Sequence, residues 1–265
     1  MQRLRNIFKR TLAALMFFTR LPLWRLATVE RSYFERVVPL WPLAGWLTGG
    51  VMALVLWLSQ QASLPTGVGV ALALLSRCLL TGALHEDGFA DFCDGFGGGS
   101  SRERTLSIMK DSHIGTYGVL GLILYVLVVW NVLTALFAAG LSPLILVAAD
   151  ALAKGLSATI IYFLPYARTE ADAKNRLVYV RTPWMERLLS LVLALLPLTV
   201  SLLVAPEAMP APVQWLIALL LPVVGCIMLF MWMRRRLQGY TGDCCGATFL
   251  ITETLIYLSL CLIVS

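Results

Sequence analysis

The sequence predicts an all-α polytopic membrane protein, with about seven transmembrane helices behind an amphipathic interfacial helix. Three observations carry this. Of 265 residues, 59% are hydrophobic and only 14% are charged, whereas a soluble domain carries about 25% charged residues. Mean hydropathy is +0.80, and several stretches reach the roughly 20 apolar residues that a span needs. The basic residues fall in alternate connections between those stretches.

Residues 5–24 come first. They mix basic and apolar side chains, carry too much charge to span, and end at Pro22. This pattern predicts a helix lying at the membrane interface and broken by the proline. Spans are expected at 38–60, 67–85, 117–139, 144–165, 188–206, 213–233 and 246–265. Of the 21 Lys and Arg residues, 19 lie in 1–37, 86–116, 166–187 and 234–245. The other two, Arg77 and Lys154, lie inside expected spans, and the connections at 61–66, 140–143 and 207–212 have none. The positive-inside rule then predicts a cytoplasmic N-terminus, three cytoplasmic loops and a periplasmic C-terminus. No cleavage-site pattern follows the basic start, so no signal peptide is expected. Residues 1–265 read as one integral membrane domain without internal repeats. The net charge of +6 comes from juxtamembrane residues, which suits contact with membrane lipid and not nucleic acid. Six cysteines show no metal spacing and are expected to be free.

Chemistry concentrates in the loop 86–116. Glu86, Asp87, Asp91 and Asp94 fall within nine positions, in His85-Glu-Asp-Gly-Phe-Ala-Asp-Phe-Cys-Asp-Gly95. On a helix, Asp87, Asp91 and Asp94 at i, i+4 and i+7 share one face. Like charges so placed repel unless a cation sits among them. Hard oxygen ligands suit Mg²⁺, which takes one or two carboxylates plus substrate phosphates. A merely solvated acidic loop would not be interleaved with Phe89, Phe92, Cys93 and Phe96, and the spacing is not that of an EF-hand. Gly95-Phe-Gly-Gly-Gly-Ser-Ser101 follows, and the backbone of Gly97, Gly98 and Gly99 is a candidate phosphate cradle. Ser100 with Glu103 forms a capping-box pattern for a helix 101–110 that carries Arg102, Arg104 and Lys110, candidate phosphate contacts. Asp111 is a fifth acid, and His85 and His113 read as hydrogen-bonded structural or substrate-facing groups.

Further carboxylates lie late in the chain. Asp243 is expected at the membrane edge, and Glu253 about ten residues deeper in the last span, where a charge is costly and calls for a partner or a cavity. Arg77 is a candidate phosphate contact or the partner of Glu253. Asp150 and Lys154, four apart in span four, can neutralise each other. Carboxylates for Mg²⁺ beside Arg and Lys for phosphate are what phosphoryl transfer requires. The residues therefore predict a membrane-embedded transferase acting on a phosphate or diphosphate.

Phe17-Phe-Thr-Arg-Leu-Pro22, the run from His85 to Gly95, Met109-Lys-Asp-Ser-His-Ile-Gly-Thr-Tyr-Gly118 and Thr241-Gly-Asp243 together resemble the cobalamin synthase (adenosylcobinamide-GDP ribazoletransferase) family. His113, Phe92-Cys93 and Tyr240 depart from the pattern commonest in that family. The resemblance implies a Mg²⁺-dependent enzyme of the bacterial inner membrane, with its active site facing the cytoplasm. It would join adenosylcobinamide-GDP and α-ribazole, or α-ribazole 5′-phosphate, giving adenosylcobalamin or its 5′-phosphate and GMP. On this view Asp87, Asp91 and Asp94 hold the metal, and Glu86 or Asp111 takes the hydroxyl proton. Arg102, Arg104, Lys110, Gly97 to Gly99, Asp243, Glu253 and Arg77 contact substrate. The partners implied are the corrinoid nucleotide, ribazole and lipid, with room for a homo-oligomer or contact with other nucleotide-loop enzymes. Two rivals remain at this point: a CDP-alcohol-type phosphotransferase, echoed by Asp87-Gly-Phe-Ala-Asp91, and a transporter.

Overall fold

The computed structural model describes residues 2–168 and 179–264. Twelve helices are present among them: α1 (Gln2–Phe18), α2 (Arg31–Phe34), α3 (Trp41–Gln61), α4 (Thr66–Thr81), α5 (Leu84–Gly98), α6 (Arg102–Ile108), α7 (Thr116–Ala138), α8 (Leu144–Phe163), α9 (Trp184–Val204), α10 (Pro212–Ala218), α11 (Leu220–Arg236) and α12 (Gly242–Val264). No strand occurs among the described residues, only an isolated bridge between Tyr166 and Tyr240. Lys174 and Arg176, counted in the basic loop 166–187, lie outside the described residues.

Five segments are long and apolar enough to cross a membrane singly: Val38–Gln61, α7, α8, α9 and α12. Two bent pairs, α4 with α5 and Pro206–Ala218 with α11, pass the same test together, for five to seven candidate spans among the described residues. Their outer faces suit lipid. Val119, Leu120, Ile123, Leu124 and Leu127 on α7 are exposed, as are Leu188, Leu191 and Val192 on α9. Apolar surface of this extent is stable only against hydrocarbon or another protein. Inside, α3 packs on α8 through Gly45 and Gly49; a Cβ at Gly45 would lie 2.8 Å from Cα of Ala151. α1 is tied down by its cations, with Lys9 donating to Glu30 at 2.6 Å and Arg10 to Glu186 at 3.0 Å, while Leu4, Ile7 and Phe8 remain exposed.

Several expected boundaries move, each for a local reason. The second span ends at Thr81 and turns by 90° into α5. Its 16 residues reach about 24 Å, somewhat short of a full crossing. The turn runs through Gly82 and Ala83, both left-handed at φ +67° and +57°. Arg20 packs so tightly over Gly82 that a Cβ there would collide with its guanidinium. The acidic segment expected in a loop is therefore helix α5. The sixth span breaks at Leu219 with a 41° bend; Pro222 in the first turn of α11 has no N–H to bond the carbonyl of Ala218. The cap of α6 is Ser101 and not Ser100, accepting from the Arg104 N–H at 3.1 Å, and the helix ends at Ile108. The last span starts at Gly242, which draws Asp243 into its first turn.

Candidate functional site

α5 lies against the first turns of α12, and this contact builds the site. A Cβ at Gly88 would sit 3.1 Å from Cα of Asp243, and one at Gly246 would sit 3.3 Å from the His85 carbonyl oxygen. Only small residues permit so close an approach. It brings Asp87 and Asp243, 156 positions apart in sequence, onto the lining of one cavity of about 220 Å³. Asp87 is exposed at its rim and Asp243 is buried. Thr241 donates to Asp243 at 3.3 Å, and its hydroxyl also receives the Cys244 N–H at 3.4 Å.

Basic groups line the same space. Lys154 reaches it from α8, held by Asp150 directly and by Thr48 at 3.1 Å, with Thr48 also donating to Asp150 at 2.7 Å. Its ammonium lies 3.9 Å from the centroid of Phe249. Arg168 lines the cavity as well, and its Nη2 donates to the Leu106 carbonyl at 3.1 Å. Aromatic rings complete the wall: Phe17 and Phe18 at the end of α1, Trp41 at the start of α3, and Tyr166, Tyr179 and Phe249. Burial holds the Tyr166 and Tyr179 hydroxyls above their usual range, so both stay protonated.

The expected site residues separate into three groups. Asp87 and Asp243 line the cavity, with Asp91 one turn beyond Asp87 on α5 and half-buried. A second group is committed elsewhere. Both oxygens of Asp94 accept backbone N–H groups, from Gly115 at 2.7 Å and Gly118 at 2.8 Å. That is a cap for α7, and it commits to backbone both oxygens of a residue that the sequence placed among the metal ligands. Arg77 and Glu253 pair inside the bundle at 2.6 and 2.7 Å, joined by Tyr125 and Tyr257; neither lines the cavity, so they brace the bundle instead of meeting substrate there. Glu86 faces the same network, 3.8 Å from Arg77. Arg102 donates to the carbonyls of Leu237 and Ala167 at 2.8 and 2.7 Å and clasps two loops together. Gly97 and Gly98 are helical, and the Gly99 N–H bonds the Gly95 carbonyl at 3.0 Å. A Cβ at Gly97 would fall 2.6 Å from the Tyr117 ring, which explains the glycine by packing. The third group is exposed and away from the cavity: Arg104, Lys110 and Asp111. Asp111 is hydrogen-bonded by His113 at 2.7 Å, which lowers its pKa.

The sequence reading did not nominate Arg168 or the aromatic wall, and it left Lys154 between a structural pair and a site role. Nothing local marks Arg168 among five basic residues in its loop. Phe17 and Phe18 had a signal, since they open the motif Phe17–Pro22, but an aromatic pair at the end of an interfacial helix reads equally as a lipid anchor.

No group of three His, Cys, Asp or Glu side chains that could hold a metal ion occurs among the described residues, so Asp87, Asp91 and Asp94 are not gathered into one ligand set. The cavity lining offers two carboxylates, Asp87 and Asp243, and one or two carboxylates are what Mg²⁺ takes from a protein when phosphate and water complete its shell.

Comparisons with known proteins show the family. The cobalamin-5-phosphate synthase family model matches residues 10–261. The chain is 37% identical to the adenosylcobinamide-GDP ribazoletransferase of Shewanella amazonensis over 97% of its own length and 98% of the relative's. It is 36% identical to that of Shewanella baltica strain OS185 over 93% and 91%, and 35% identical to that of Ralstonia pickettii over 97% and 96%. No solved structure matches. These matches set aside the transporter and CDP-alcohol phosphotransferase readings. The chain therefore belongs to the cobalamin-5-phosphate synthase family, and it is a membrane transferase of cobalamin biosynthesis.

Proposed function

We propose that the protein joins adenosylcobinamide-GDP to α-ribazole, or its 5′-phosphate, and releases GMP in a Mg²⁺-dependent reaction on the cytoplasmic side of the bacterial inner membrane. One observation carries this reading: Asp87 and Asp243 share a cavity wall with Lys154 and Arg168. Phosphoryl transfer is mostly positioning and charge neutralisation, and this set supplies both signs. The names of the relatives support these substrates, and the distribution of Lys and Arg supports this orientation.

In the reaction a free ribose hydroxyl oxygen of the acceptor, which in α-ribazole 5′-phosphate is not the esterified 5′-oxygen, bonds to the cobinamide-side phosphorus. The bond from that phosphorus to the bridging oxygen breaks, and GMP leaves with the electron pair. The hydroxyl proton passes to a carboxylate at the wall formed by Asp87 and Asp243. Glu86 and Asp111 do not line the cavity, so the geometry favours neither as the acceptor. Bound Mg²⁺ would neutralise diphosphate charge, and Asp87 and Asp243 would hold it. Arg168 would orient the phosphate oxygens. Lys154, kept in place by Asp150 and Thr48, would add positive charge to the same cavity.

Replacing Asp87 with Asn keeps the side chain's size and removes its charge. GMP release from adenosylcobinamide-GDP in detergent-purified protein should fall at least about a hundredfold and respond only weakly to added Mg²⁺. Turnover near that of the unmodified protein, or unchanged turnover after the metal is chelated, would overturn the assignment.

A further inference from the structure

Two cavity-lining rings carry polar atoms that nothing in the protein satisfies. The Trp41 indole Nε1 and both ring nitrogens of His85 are buried without a hydrogen-bond partner. Both side chains are 3% exposed. A buried polar group left unpaired is costly, and rings that stack well do not remove that cost. These two belong to a continuous aromatic cluster drawn from separate parts of the chain. Phe18 lies edge-on to Trp41 at 5.3 Å and stacks on His85 at 5.6 Å, and His85 meets Phe249 at 4.4 Å. Among the other lining groups, the Arg168 Nε is also buried without a partner and Asp87 is exposed at the rim, whereas three polar side chains beside the rings are occupied. Ser157 donates to the Cys245 carbonyl at 2.7 Å, Thr241 serves Asp243 and Cys244, and Lys154 serves Asp150 and Thr48. The part of the cavity walled by Phe18, Trp41, His85 and Phe249 therefore offers ring faces and, on those rings, few open hydrogen-bonding positions.

We infer that this aromatic chamber is the subsite for the planar, largely apolar heteroaromatic base of the acceptor nucleoside, with Trp41 and His85 supplying hydrogen bonds to its few heteroatoms. This rests on the function proposed above and names which of the two substrates enters. A bicyclic base with one free ring nitrogen matches one or two open donors. Among these four rings a guanine, with donors and acceptors along a whole edge, would leave most of them unpaired at a cost of several interactions. A corrin macrocycle is too large for about 220 Å³, so the corrinoid nucleotide would approach from outside with its diphosphate at the rim by Asp87. Trp41, His85, Phe18 and Phe249 would then decide acceptor specificity.

The test is binding and kinetics on the full chain in detergent. Quenching of tryptophan fluorescence should report saturable binding of α-ribazole, and guanosine should bind at least about tenfold more weakly, the equivalent of one or two hydrogen bonds. Trp41→Phe and His85→Phe keep a ring and lose the nitrogens. Each should raise the KM for α-ribazole about threefold to tenfold, with the KM for the corrinoid nucleotide unchanged. Phe249→Leu removes a wall and should raise the acceptor KM further. A structural role alone would lower the amount of folded protein without splitting the two KM values. Binding of ribazole without GMP release would refute the proposed reaction and leave the subsite standing. Normal turnover with an unaltered acceptor KM in all three variants, or tighter binding of guanosine, would overturn the subsite.

Discussion

Removing the carboxylate of Glu253 should destabilise the protein strongly, and removing Arg77 with it should restore most of the loss. The carboxylate accepts from Arg77 at 2.6 and 2.7 Å and from Tyr257 at 3.0 Å. Both partners of the ion pair are at most 1% exposed. Glu253→Leu leaves the guanidinium with the Tyr125 hydroxyl at 2.7 Å and Glu86 at 3.8 Å. Stripping one partner from a buried pair costs about 3–5 kcal/mol, because the remaining charge is uncompensated. Replacing both with apolar groups of similar volume is often near neutral. Arg77→Met with Glu253→Leu should therefore lie within about 1–2 kcal/mol of the unmodified protein, far from the sum of the single changes. Equilibrium unfolding in mixed micelles of mild detergent and SDS, run as a double-mutant cycle, measures this. The same variants should leave both substrate KM values unchanged, since neither residue lines the cavity. Additive losses, or a raised KM in a variant of normal stability, would refute the structural role and return the pair to substrate binding.

Three further outcomes follow from the geometry. Asp94→Ala removes the acceptor of the Gly115 and Gly118 N–H groups, so it should cost about 1–2 kcal/mol in the same unfolding assay while the Mg²⁺ concentration for half-maximal activity stays constant; a large rise in that concentration would make Asp94 a ligand after all. Asp111→Asn should change GMP release by no more than about twofold. The Asp111 pKa is lowered by its His113 hydrogen bonds, so its local contribution exists above the ordinary carboxylate range and disappears as pH falls through the lowered value. Limited proteolysis of 109–115 should accordingly be faster in the variant at neutral pH and equal to the unmodified protein in strong acid. Gly88→Val, at a position where a Cβ already lies 3.1 Å from Asp243, should force α5 and α12 apart; overpacking of this kind costs about 1–3 kcal/mol, and displacement of about 1 Å at a reacting centre lowers rate by about a hundredfold. A fully active, normally stable Gly88→Val would mean that the close helix contact does not position the carboxylates.

Composition and the alternation of Lys and Arg were enough to predict an all-helical, many-span protein, because the bilayer imposes length and hydropathy on every crossing segment independently of its neighbours. The acidic run also stood out in sequence, since charge is rare in an apolar chain and its cost calls for a purpose. The sequence could not divide that run. Asp87 and Asp94 share an i, i+7 face, yet one opens on the cavity and the other caps α7, and this depends on where α7 begins. The Gly97–Gly99 run looked like a phosphate cradle because glycine allows close approach to any neighbour, and the fold supplies the Tyr117 ring and Thr105 as those neighbours. Likewise, Arg77 could serve phosphate or Glu253 until α4 and α12 were brought together. The meeting of Asp87 with Asp243, and of Phe18 with Phe249, belongs wholly to the tertiary structure. Local sequence sets which residues are charged, aromatic or small. Which of them share a cavity depends on helix contacts between residues more than 150 positions apart, and no periodicity within a single segment records those.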